Sequence, residues 1–321
     1  MRIATPVRQR STGIRRLGRW IHAGVTWDGW LKLGAIATAS GVLGGLWFTS
    51  HSLDATNRQL GVAEQAEVTN RFSKAVEQLD SDHLDTRIGA IYSLERIAHD
   101  SPADRSTVFD VLGAFVRTRA PNTPECSTLP PPHPNPDDLP RLAPDIQSAI
   151  TVIGRRDTPS VGHVDLSRTC LKGADLRFAD LRNVDLEFSS LVWADMRHAN
   201  LQGATVHLAN FHSAYMNGVN LEEARFEVVN FTAALMEDGN IRSAKMINCP
   251  LINAVFLGAD LKGLEISFSD LSGADFAPEV NLEHSTAAKN LGQAKLEHVH
   301  YNNDTTWPKG FTPPENADPG L

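Results

Sequence analysis

The stretch Leu171-Lys172-Gly173-Ala174-Asp175-Leu176-Arg177-Phe178-Ala179-Asp180-Leu181 carries a bulky apolar residue at every fifth position. The register holds without a slip from Leu166 to Phe276, giving 23 centres: eleven Leu, five Phe, four Met, two Ile and one Val. Two residues before each centre the side chain is compact, with Ala in 13 of 23 places and only Leu264 large. One residue before the centre, Asp or Asn fills 13 of the 23 places. A strict internal period decides the architecture before any local propensity does.

Five matches neither a helix at 3.6 residues per turn nor a strand at two. It suits a chain that turns a corner every five residues and points the centre and the small residue inward. Four sides close a coil of about 20 residues, and coils stack at the ~4.8 Å strand spacing. Centres 20 apart then stand in columns, and the columns sort by residue type. One reads Leu176, Met196, Met216, Met236, Phe256, Phe276; another Leu181, Leu201, Leu221, Ile241, Leu261; a third Leu171, Leu191, Phe211, Phe231, Leu251, Leu271. The expected fold class is an all-β solenoid over residues 164–276, preceded by a transmembrane helix and a small α-helical module.

These repeats resemble the pentapeptide-repeat family, whose pattern is Ala-(Asp/Asn)-Leu-X-X. The resemblance implies a right-handed quadrilateral β-helix. The phrases Arg71–Leu79 and Arg87–Ala98 resemble the helical module of membrane-associated, actinomycete-type pentapeptide-repeat proteins. The second phrase also looks like an armadillo or HEAT helix.

Upstream, residues 1–32 form a basic segment with seven Arg or Lys against Asp28 alone. Residues 33–53 then run without Asp, Glu, Lys or Arg, flanked by Trp27, Trp30, Trp47 and Phe48. That length and those flanks predict a single membrane span, with a cleaved signal peptide or an apolar soluble helix as the alternatives. Arg15, Arg16, Arg19 and Lys32 before the span, against Arg58 after it, place the amino terminus inside and the protein in the cell membrane as a single-pass chain. Gly41 and Gly45 would let two such helices touch, giving a homodimer.

Apolar stripes Val68-Phe72-Ala75-Val76-Leu79, Leu84-Ile88-Ile91-Leu94-Ile97 and Val108-Phe109-Leu112-Phe115-Val116 make residues 54–120 a helical module. Ser101-Pro102-Ala103-Asp104 reads as the start of its third helix. Nine of 18 prolines fall in residues 121–144, which marks an extended linker. Ile146, Ala149, Ile150 and Ile153 predict a short helix over 145–156 that covers the solenoid's open end. Residues 277–321 read as the far cap and tail, where Leu291 and Leu296 regain the pattern and Thr306-Trp307-Pro308-Lys309-Gly310-Phe311 resembles the ending of bacterial pentapeptide-repeat proteins.

The formal net charge of −8 disfavours direct nucleic-acid binding. Cys126, Cys170 and Cys249 are odd in number and widely spaced, suggesting neither a disulfide framework nor a zinc site, and a reducing compartment. No Gly-rich phosphate loop, nucleophile elbow or His-Glu-x-x-His is present, so catalytic, cofactor and metal residues are all absent from the reading. Repeated Asp residues belong to turns and edges.

Two functions remain. The first is a membrane-anchored, non-enzymatic scaffold for a protein partner. The second is mimicry of B-DNA, by which some pentapeptide-repeat proteins engage DNA gyrase. Residues 164–276 hold 15 acids against 9 bases. One outward column reads Arg168, Phe188, Leu208, Val228, Asn248, Phe268, with Val192, Trp193 and Ile252 on the adjoining face. Apolar outward residues need a cover. Either the helical module or tail docks there, or Phe188, Val192, Trp193, Leu208, Val228, Ile252 and Phe268 form a partner-binding strip.

Overall fold

The computed structural model describes residues 27–128, 141–156, 162–278 and 286–316. The chain divides into two compact units, 1–67 and 68–321.

Most of the first unit is helix α1, Trp27–Leu79, whose last residues, from Val68 on, belong to the second. The membrane span expected over 33–53 does not hold. Among the described residues no helix is long and apolar enough to cross a membrane. Gly34, Gly41, Gly44 and Gly45, with Thr38, Ser40, Thr49 and Ser50, dilute the apolar side chains that a bilayer core demands. An uncharged run is not the same as an apolar one. The single-pass placement, its orientation, the membrane as partner and the helix pairing through Gly41 and Gly45 lose their basis with it. The basic residues 1–26 lie outside the described residues.

In the second unit, α2 (Leu84–Asp100) and α3 (Arg105–Arg119) bury Ile91, Leu94, Ile97, Val108, Phe109, Leu112 and Val116 together. Ser101 does not cap α3 directly. Its hydroxyl bonds the Asp104 carboxylate at 2.7 Å, and the helix proper starts at Arg105. Helix α4 (Pro144–Gly154) packs on both and carries Asp145, nearly buried, at 2.7 Å from Arg87 of α2.

Beyond α4 the chain coils as a right-handed β-solenoid. Short parallel strands β1 (Val164–Asp165) and β2 (Val184–Asp185) form one ladder. Strands β3 (Thr205–His207), β4 (Arg225–Glu227), β5 (Lys245–Ile247), β6 (Glu265–Ser267) and β7 (Lys295–Glu297) form another. Every rung from β1 to β6 pairs residues 20 apart, as in Val206 with Phe226, and single bridges such as Asp175–Asp195 and Asn200–Asn220 repeat that step on the other sides. All 23 centres are buried. Phe211, Phe226, Phe231, Phe256 and Phe276 are the largest wholly enclosed side chains of the coil.

The coil does not stop at Phe276. After an excursion it resumes, so that β7 pairs β6 at a step of 30 residues (Glu265 with Lys295) and Thr306 bridges Asp275. Trp307 then lies flat on Phe276, with ring centroids 5.0 Å apart, and Phe311 lies on Trp307.

The first coil exposes one unpaired backbone edge on each side, and each edge finds a partner. The Arg117 guanidinium donates to Asp165 O at 2.5 Å. Cys170 N donates to Ala120 O at 2.7 Å. The Gln147 side-chain amide accepts from Asp175 N at 2.9 Å and donates to Asp175 O at 2.8 Å, as a strand residue would. Asp180 N donates to Gly154 O at 2.8 Å, and Arg156 donates to Asp180 O at 2.7 Å. At the far end Asn316 repeats the device, with its amide bonded to both N and O of Tyr301 at 2.9 Å.

The cysteines correct the sequence reading. Cys126 and Cys170 form a disulfide with Cα atoms 5.8 Å apart, and only Cys249 is free. The bond holds residues 121–128, the start of the proline-rich stretch, against the first coil; residues 129–140 lie outside the described residues. A disulfide removes the ground for a reducing compartment.

Candidate protein-binding face

Each side of the coil ends in a corner where the residue two places after the centre takes a left-handed backbone. Glycine fits that conformation without a steric penalty; a bulky or β-branched side chain does not. Three of the four corner columns use glycine at least twice: Gly173 and Gly273, Gly218 and Gly258, Gly203 and Gly263. The fourth column uses none. It places Arg168, Phe188, Leu208, Val228, Asn248 and Phe268 at φ between 52° and 57°.

This column is the one singled out in the sequence, and its large side chains point out of the solenoid. Leu208 is 44% exposed, Val228 41% and Phe268 51%. Phe188 is half-buried, because the Arg168 guanidinium lies over its ring at 4.5 Å. Phe268 stacks on His298 of the last coil at 4.9 Å. The helical module does not cover the column. Its helix α3 instead meets the amino-terminal end of the solenoid, at β1.

The adjoining face is less uniform. Val192 is fully buried, and Ser190 beside it sends its hydroxyl towards Cys126 O, so neither offers a surface. Trp193 and Ile252 are half-buried. The Trp193 indole N–H is buried with no hydrogen-bond partner among the described residues. Its ring approaches Tyr215 at 6.3 Å. Tyr215 begins a second outward apolar ladder, Tyr215–Leu235–Val255, which the sequence reading missed. The signal was present: these three residues replace the Asp or Asn that holds most places before a centre.

Many charges on the remaining faces are paired locally. Asp175, Asp180 and Asp195 each meet the arginine two residues on, Arg177, Arg182 and Arg197, at 2.6 Å. Bonding from Arg177 holds the Asp175 carboxyl below its usual range, as Lys245 does for Glu265 and Asn290 for Asp260. His207 lies 3.2 Å from Glu227, and Lys245 2.7 Å from Glu265. A ladder of amides runs Asn200–Asn220–Asn240 with Nδ2 to Oδ1 bonds of 3.1 Å. Burial pushes the Cys249 thiol up to about 12, so it stays protonated and unreactive at neutral pH. Among the described residues no group of three or more His, Cys, Asp or Glu is placed to hold a metal ion. The described coil surface combines local ion pairs with outward apolar residues: Leu208, Val228 and Phe268 in one column, the ladder Tyr215–Leu235–Val255, and Phe178 on a further corner.

Comparison with known proteins agrees with the coil. The family model "Pentapeptide repeats (8 copies)" matches residues 162–197, 189–227 and 240–276. No curated protein matches the chain. Among solved structures, one of QnrB1, a plasmid-mediated fluoroquinolone resistance protein, is 16% identical over 38% of this chain and 64% of that one, with a TM-score of 0.28. HetL, a pentapeptide repeat protein involved in heterocyst differentiation regulation in the cyanobacterium Nostoc, is 24% identical over 47% of this chain and 79% of that one, at 0.21. A pentapeptide repeat protein from the Arabidopsis thaliana thylakoid lumen is 29% identical over 32% of this chain and 68% of that one, at 0.13. Scores this low carry no activity across. The family model matches the repeats alone, and the narrower assignment to membrane-associated, actinomycete-type proteins is not supported: among the described residues no helix fits a bilayer.

Proposed function

We propose that the chain is a non-enzymatic protein-binding solenoid whose docking column is Phe188, Leu208, Val228 and Phe268, with Trp193 and Ile252 on the adjoining face. One observation carries the reading. Large apolar residues occupy the only corner column without glycine, at φ values that cost a Leu, Val or Phe roughly 1–2 kcal/mol each. Backbone strain of that kind marks a site where another requirement overrides stability. Leu208 and Val228 are exposed, and Phe188 and Phe268 meet only Arg168 and His298 at the surface, so core packing does not supply the requirement. The test is quantitative binding with Leu208→Asp plus Phe268→Asp. Loss of partner with unchanged melting supports the reading, and unchanged binding overturns it.

A second reading is mimicry of DNA at a gyrase-type enzyme. It is favoured by the excess of acid over base in residues 164–276 and by carboxylates stacked on successive coils, such as Asp165 over Asp185 and Asp175 over Asp195. A gyrase supercoiling assay separates the two. Mimicry requires inhibition that survives the column variant and disappears when Asp175, Asp180, Asp185 and Asp195 become Asn. A protein-docking column of this kind predicts no gyrase inhibition by the chain or by either variant.

A further inference from the structure

We infer that Cys126 and Cys170 form a redox-operated clasp, which fastens residues 120–128 as an added edge strand on the first coil and is closed only where thiols are oxidised. The inference does not depend on the docking column.

Three sets of contacts converge on the clasp. Pro121 pairs antiparallel with Thr169, opposite in sense to the parallel pairing within the coil. Around that bridge Cys170 N donates to Ala120 O, and Asn122 N donates to Arg168 O, both at 2.7 Å. Beyond it the short helical turn Pro124–Ser127 places Cys126, 4% exposed, on Cys170. Ser190 reaches Cys126 O at 3.5 Å, and the Lys172 ammonium reaches Thr128 O. The Asn122 amide also donates to Phe188 O at 2.8 Å, tying the clasp to the second coil.

The other edges of the first coil are held by residues of α3 and α4 or just beyond them, backed by a buried core. Residues 121–125 are exposed and have no such backing. Two backbone hydrogen bonds and the side-chain contacts of Asn122, Lys172 and Ser190, most of them open to water, are each weak, so the S–S bond is the strongest restraint on a strand that begins a proline-rich stretch. Opening is a two-electron step. A dithiol reductant attacks one sulfur, the Cys126–Cys170 bond breaks, and the reductant leaves as its own disulfide while both cysteines become thiols. Cys249 does not compete, being buried two residues after β5 and held protonated.

The experiment uses the full chain, equilibrated either in a glutathione buffer poised for oxidation or in excess dithiothreitol. Each sample is then denatured and alkylated, and a native portion is exposed to a glutamyl endopeptidase. The oxidised protein should take one alkyl group and the reduced protein three. Cleavage after Glu125 should be at least tenfold faster in the reduced state, while cleavage within residues 164–276 stays unchanged. Cys126→Ser should be cut after Glu125 at the fast rate in both buffers. Three alkyl groups in the oxidised sample, or equal cleavage rates in the two states, would overturn the clasp.

Discussion

Phe231 shows how one residue serves the fold. Its ring stacks on Phe211 at 5.3 Å and meets Phe226 edge-on at 5.1 Å, with no exposed surface. Phe231→Ala should cost about 3–5 kcal/mol, because neighbouring coils are pinned by their own hydrogen bonds and cannot collapse into the gap. Chemical denaturation measures it. Leu201→Asp should prevent folding of the coil, since the carboxylate would face buried Met196 and Leu221 sides with no partner. Val228 predicts a split outcome. At φ 56° it is a β-branched residue in a left-handed corner, so Val228→Asn should hold or raise the melting temperature while weakening partner binding. A loss of both would mean that Val228 serves the fold. Acid acts at this scale too. Asp175, Asp260 and Glu265 have lowered values in the folded chain, so their contribution is present above the usual carboxylate range near pH 4 and is lost as pH falls through their folded values. Melting temperature should therefore fall between about pH 5 and pH 2, and less steeply in Asp175→Asn.

Elements make clear what the sequence exposes and what it hides. The coil was legible because every fifth residue obeys the same steric demand, and 23 repetitions leave no other period. The sequence pointed to a helical cap at one end, through Ile146, Ala149, Ile150 and Ile153, but not to the chemistry of either cap. Gln147, Arg117, Arg156 and Asn316 complete backbone edges through single side chains that belong to no motif. The Cys126–Cys170 pair was hidden for a similar reason, with a sequence separation of 44 and eight of the 18 prolines between its members. The membrane span failed because absence of charge was read as presence of apolar surface. Gln147→Ala should cost about 0.5–1.5 kcal/mol, because the backbone N–H and C=O of Asp175 are exposed and water replaces the lost amide. Gln147→Glu should restore only the acceptor half, which the same melting experiment resolves.

At the scale of the molecule, the second unit is a capped rod whose core runs from Ala75 to Val299 without interruption. Rods of stacked coils tolerate change at their corners and not in their register. One residue inserted after Gly218 should displace every later centre and unfold the rod, whereas one inserted in residues 129–140 should leave melting unchanged. The rigid frame gives the outward column its meaning, because Leu208, Val228 and Phe268 hold fixed places on successive and near-successive coils. Its most direct test is a photo-crosslinking amino acid placed at Leu208, at Val228 and, as a control on another corner, at Glu223. The account predicts one discrete protein adduct shared by positions 208 and 228 and absent at 223. No adduct at 208 and 228, or the same adducts at all three positions, would contradict it.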